Sequence, residues 1–106
     1  MAGNIKELTD QNFDDTVKSG VVLIDFWAPW CGPCRMQGQI LEEVAGEIGD
    51  KATIAKVNVD EAPSVASRFG VQAIPTLVLL KDGEEQNKFV GVQQAGSLKS
   101  SIEALA

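Results

Sequence analysis

Val21-Val22-Leu23-Ile24-Asp25-Phe26-Trp27-Ala28-Pro29-Trp30-Cys31-Gly32-Pro33-Cys34 holds most of what this chain has to say about its fold. Its first half is a nearly continuous apolar, β-branched run, the pattern of a central strand covered on both faces. From about Pro33 to Ile48, Met36, Ile40, Leu41, Val44, Ala45 and Ile48 fall at helical spacing, and Gly49 ends the run. A buried strand therefore hands over to a helix across Trp30-Cys31-Gly32-Pro33-Cys34. That places Cys31 at the helix N-terminus, where unpaired N–H groups and the positive dipole end favour a thiolate. Lowering a thiol pKa by 1–2 units takes roughly 1.4–2.7 kcal/mol. A helix end supplies up to about 2 kcal/mol of this in a partly buried site. Cys34, one turn further in, is the less reactive thiol. Pro33 is tolerated because a first-turn N–H has no partner within the helix.

Outward from this stretch the chain alternates strands and helices. Thr9-Asp10-Gln11-Asn12 offers N-cap candidates for a short helix carrying Phe13 and Val17, closed by Gly20. Thr53 to Val59 reads as a strand, and Ala62 to Phe69 as a short helix stopping at Gly70. Thr76 to Leu80 and Gln86 to Val90 flank Asp82-Gly83, a strong hairpin signal. A last amphipathic helix runs from about Gly96 through Leu98, Ile102 and Leu105. The pattern predicts one domain, 1–106, of class α/β: a mixed sheet between helices, with parallel crossovers first and antiparallel strands from the hairpin.

Composition narrows the chemistry. The 106 residues include no histidine, no tyrosine and two cysteines. This excludes imidazole-based nucleophilic catalysis and every imidazole metal site. A net charge of −6 argues against nucleic acid and against an anionic membrane surface. No apolar run approaches the length needed to span a bilayer. The start, Met1-Ala2-Gly3-Asn4-Ile5-Lys6, shows no basic region followed by an apolar one, so the expected compartment is the cytoplasm. A persisting structural disulfide is unusual there.

Two other uses of the cysteine pair can be weighed. As a staple, a four-residue loop constrains the unfolded chain by only about 1.9 kcal/mol, against roughly 4.7 for a 100-residue loop. As a zinc site, the pair lacks two of the four ligands, and only a cluster bridging two chains would use it so. A C-x-x-C beside a βαβ pattern in a cytosolic chain is a known thioredoxin-like signature. Asp25 and Lys56 each sit in the middle of an apolar strand. They can point outward at a strand edge, form a buried structural ion pair, or handle protons for the thiols. Burial would raise the carboxyl pKa, and a nearby ammonium would oppose that shift.

The resemblance extends beyond the cysteines. Asp25 through Met36, then Lys56-Val57-Asn58-Val59-Asp60, then Ile74-Pro75-Thr76, then Val90-Gly91 together resemble the thioredoxin family over essentially the whole chain. The resemblance implies the thioredoxin fold, a central five-stranded mixed β-sheet flanked by four helices, with the redox pair exposed at a helix start. It implies a general protein-disulfide reductase: Cys31 attacks, Cys34 resolves, and Asp25 with Lys56 takes the proton from Cys34 through water. It implies a cis bond before Pro75, where trans is the ordinary state, with the flanking peptide groups free to pair with an extended substrate. Trp30, Gly32, Pro33, Ile74, Pro75, Val90 and Gly91 would form the substrate rim, with Trp27 packing behind it. No bound cofactor is expected, only the redox-active Cys31–Cys34 disulfide. The expected partners are disulfide-containing proteins and a thioredoxin reductase, fed by NADPH through a flavin or by ferredoxin, with the chain itself a monomer. Two alternatives stay open: a disulfide oxidant or isomerase on the same fold, and a redox-independent subunit that binds through the apolar rim. Gly32-Pro33 resembles the reducing branch.

Three residues depart from the family pattern. Gln39 stands where a helix-kinking proline is usual, and the preceding Gly38 suggests local looseness instead. Gln94 stands where serine often caps the last helix. Ala73 replaces a common Gly or Ser.

Overall fold

The computed structural model describes residues 5–106; Met1–Asn4, on which part of the reading of the start rests, lie outside the described residues. The chain runs β1 (Ile5–Leu8), α1 (Phe13–Val17), β2 (Val21–Trp27), α2 (Gly32–Ile48), a 3-10 turn at Gly49–Lys51, β3 (Thr53–Asn58), α3 (Pro63–Arg68), β4 (Thr76–Lys81), β5 (Glu84–Val90) and α4 (Ala95–Leu105). The five strands form one sheet in the order β1-β3-β2-β4-β5. β1, β3 and β2 are mutually parallel, while β4 runs antiparallel to β2 and β5 antiparallel to β4.

β2 lies at the centre, and its first six residues are all buried. Its alternation sorts the two cores. Val22, Ile24 and Phe26 pack with Phe13 and Val17 of α1 and Val65 and Ala66 of α3. Leu23 faces the other way, onto Leu41, Val44, Ala45 and Ile48 of α2 and Leu98 and Ile102 of α4. The sheet is thus covered on both sides, as the apolar run of β2 requires. α2 is an unbroken α-helix through Gly38 and Gln39.

The local pattern of residues locates four strands; the fifth, β1, is four residues long with two charged side chains, too short to show a period of two. β5 begins at Glu84 rather than Gln86, because its first five residues are all exposed on an edge and show no apolar alternation. The hairpin turn is the two-residue kind, with φ of 52° at Asp82 and 85° at Gly83, as type I′ requires. Thr9-Asp10-Gln11-Asn12 does not cap α1. Asn12 is its N-cap residue but makes no capping bond; its Oδ1 instead accepts the Thr9 N–H at 2.7 Å. Asp10 serves a different helix, accepting the Val65 N–H in the first turn of α3 at 3.1 Å.

Candidate active site

The strand-to-helix handover puts the two cysteines where the sequence places them. Cys31 is the N-cap residue of α2, and the two residues form a disulfide with Cα atoms 5.3 Å apart. Cys31 Sγ accepts the backbone N–H of Cys34 at 3.2 Å. That N–H is one of the helix's orphan donors, and in the reduced pair it would face a thiolate and stabilise it. The Ile74–Pro75 bond is cis, and the carbonyl oxygen of Ile74 lies 3.7 Å from Cys31 Sγ.

The rim residues come from three segments. Trp30, Gly32 and Pro33 flank Cys31 in the chain. Val90 is the register partner of Thr76, and the Gly91 N–H donates to the Pro75 carbonyl at 2.8 Å, which brings β5's end against the Ile74-Pro75 loop. Trp30 and Val90 are 70% and 64% exposed, unusual for large apolar side chains. Trp30 is held by its indole N–H, which donates to Asp60 Oδ2 at 3.0 Å; the Asp60 N–H in turn donates to Asn58 Oδ1 at 2.9 Å.

Two expectations need correction. The redox pair is largely covered: Cys31 keeps 8% of its exposure and Cys34 3%, so Cys31 is the more accessible by a small margin. The peptide groups around Pro75 are not all free either, since the Pro75 carbonyl is taken by Gly91. The backbone groups of Ile74 have no backbone partner among the described residues, and its carbonyl faces Cys31 Sγ.

Behind the cysteines lies a row of charge. Asp25 on β2 pairs in register with Lys56 on β3, and Lys56 pairs with Glu7 on β1. All three lie on the sheet face that α2 covers. Asp25 is fully buried, and neither carboxyl oxygen has a hydrogen-bond partner among the described residues. This rules out an outward-pointing edge residue and a closely hydrogen-bonded structural pair. Burial is the main cause that pushes its pKa up to about 7; the Lys56 charge pulls it down and the Glu7 charge adds to the rise. The Lys56 ammonium sits over the Trp27 ring, 4.4 Å from its centroid. Glu7 Oε2 accepts the Trp27 indole N–H at 3.2 Å. Its own pKa is raised by burial, against that hydrogen bond and Lys56. A cleft of about 460 Å³ links Glu7, Trp27 and Lys56 to the thiols; Cys31, Cys34 and Gly38 also line it, while Asp25 lies behind Lys56 and does not.

Sequence reasoning missed Glu7 because it missed β1. Asp60 stood inside a recognised segment but received no role, since only the fold brings it to Trp30.

The Thioredoxin family model matches residues 4–104. The chain belongs to the thioredoxin family. It is 54% identical over 99 residues to a thioredoxin of Staphylococcus saprophyticus, covering 93% of this chain and 95% of that one. Against a thioredoxin of Staphylococcus haemolyticus the identity is 50% with the same coverage. Among solved structures, a mutant thioredoxin from Halobacterium salinarum NRC-1 superposes with a TM-score of 0.87 at 40% identity, covering 96% of this chain and 90% of that one. The fold expected from the resemblance, a five-stranded mixed sheet with four helices, is the fold observed. With family and cysteine pair together, the chain is a protein-disulfide oxidoreductase. Its redox-active group is its own Cys31–Cys34 disulfide, and the family works without a separate cofactor. Family membership also implies disulfide-containing protein substrates and a thioredoxin reductase as partners. No helix among the described residues is long and apolar enough to cross a membrane.

Proposed function

We propose that this oxidoreductase acts as a single-domain, monomeric reductase of cytoplasmic proteins, with Cys31 the attacking and Cys34 the resolving thiol. The observation that carries the assignment is the Cys34 N–H directed at Cys31 Sγ at the N-cap of α2. In the reduced pair, the Cys31 thiolate attacks one sulfur of a substrate disulfide. A mixed disulfide forms and the other substrate sulfur leaves as a thiolate. Cys34 then loses its proton and attacks Cys31 Sγ. The Cys31–Cys34 disulfide forms, the second substrate thiolate leaves, and two electrons have passed to the substrate. Asp25 is the proton acceptor in this step. With a pKa of about 7 it is partly ionised at neutral pH, and the cleft lined by Lys56 and Cys34 provides room for water to carry the proton.

Trp30, Gly32, Pro33, Ile74, Pro75, Val90 and Gly91 receive the substrate segment. The backbone groups of Ile74, which have no backbone partner among the described residues, pair with it in β fashion, and exposed Trp30 and Val90 cover its apolar side chains. A separate reductase returns the disulfide to the dithiol, with electrons from NADPH through a flavin or from ferredoxin. The surplus of acidic groups, 15 against 9 basic, steers which reductase docks.

The test is Cys34→Ser. With the resolving thiol gone, the variant should accumulate covalent complexes with an insulin-type disulfide substrate, releasable by dithiothreitol. Normal turnover with nothing trapped would overturn the mechanism.

A further inference from the structure

Gln37 lies one turn beyond Cys34 on α2 and is fully buried. An amide in that position is costly unless both its donor and its acceptor are used. Both are used on one residue of another segment. Gln37 Oε1 accepts the backbone N–H of Gln93 at 2.7 Å, and Gln37 Nε2 donates to the Gln93 carbonyl at 3.1 Å. The side chain thus pairs with Gln93 as a neighbouring strand would. Gln93 sits in the irregular segment between β5 and α4, which has no sheet or helix ladder to hold it.

The pairing continues toward the thiols. Gln93 Nε2 donates to the Gly91 carbonyl at 3.1 Å, and the Gly91 N–H donates to the Pro75 carbonyl at 2.8 Å. The Ile74 carbonyl beside Pro75 is 3.7 Å from Cys31 Sγ. One continuous set of hydrogen bonds therefore joins the cysteine helix, the Gly91–Gln93 segment and the Ile74-Pro75 loop. These are the three parts between which a substrate segment must fit.

We propose that Gln37 is a positioning residue for protein substrates: its amide holds the Gly91–Gln93 segment at a set distance from the cysteine helix and so keeps the rim spaced for an extended chain. Both hydrogen bonds of the Gln37 amide go to the Gln93 backbone, so its effect passes through that segment. The proposal rests on the oxidoreductase reading above and adds to it a determinant of substrate docking.

Gln37→Leu keeps side-chain size and helix preference while removing both hydrogen bonds. The expected result is a KM for an insulin-type protein disulfide raised about tenfold, the scale on which misplaced binding groups act, with kcat held within about twofold. Reduction of a small aromatic disulfide, which needs no extended rim, should stay within about twofold of wild type. Hydrogen exchange at the Gln93 amide should accelerate at least about tenfold while the amides of α2 keep their protection. Gln93→Ala, which removes only the Gln93–Gly91 bond in the half-exposed segment, should shift KM the same way by a smaller factor. An unchanged KM in both variants, or an equal loss toward the protein and the small disulfide, would overturn the proposal. If wild type itself reduced neither substrate, the oxidoreductase reading would fail instead, so the two failures are separate.

Discussion

Asp25 shows what burying one ionisable side chain does to stability. An unfolded chain would ionise it near 3.8, whereas the folded chain holds it protonated up to about pH 7, because burial penalises the charge. Between those values the native state keeps a proton that the unfolded state has lost, so stability falls as pH rises. The full loss, on the order of 4 kcal/mol, is reached above about pH 7. Asp25→Asn removes this dependence. In urea titrations of the oxidised protein, the variant should match wild type most nearly at pH 4 and gain on it steadily to pH 8. A difference independent of pH would contradict the burial of an ionisable group. In the reduced protein, the same variant should reduce protein disulfides more slowly and lose the inflection near pH 7 in its rate profile. Asp25 and Lys56 were legible in the sequence as charges interrupting apolar runs. Glu7 was not, because a polar residue on a four-residue edge strand looks like any surface residue.

At the scale of elements, the helix ends differ in how they are satisfied. α2 begins on Cys31, whose sulfur takes the first-turn N–H, so capping and chemistry share one atom. α4 begins on Gln94 in extended conformation with no side-chain capping bond. Gln is a poor cap because its longer side chain does not fold back onto the first-turn N–H as Ser or Asp does. Gln94→Ser should therefore raise stability by about 1 kcal/mol, read as a rise of about 4–8 °C in the thermal midpoint. No rise would mean that the orphan N–H groups of α4 are already satisfied by solvent at no cost. The missing cap was visible in the sequence as a departure from the family pattern. The role of Asp10 in capping α3 was not, since the donor lies 55 residues away.

Among the described residues, two cores lie on either side of one sheet. Val65 of α3 belongs to one and Leu98 of α4 to the other, and both are almost fully buried. Truncation to Ala should cost on the order of 1–2 kcal/mol for Val65 and 2–5 for Leu98, from lost burial and the cavity left behind. Because no side chain is shared between the two clusters, the double variant should lose the sum of the single losses within about 0.5 kcal/mol in denaturant titration. A larger coupling would show that the sheet transmits packing strain from one layer to the other.

The sequence by itself determined the α/β class, four of the five strands, and the reactive pair with its helix start. All of these depend on residues near one another in the chain, where a period of 2 or 3.6 and a C-x-x-C spacing can be read directly. The family resemblance extended that reading to the fifth strand and to the cis bond at Pro75. Only the tertiary structure decided that Asp25, Lys56 and Glu7 form one row, that Asp60 holds Trp30, that the sulfurs are mostly covered, and that Gln37 binds the Gln93 backbone. Each is a meeting of segments distant in sequence, set by sheet order and register. A glutamine at helical position 37 reads as a surface residue until the segment after β5 folds against it.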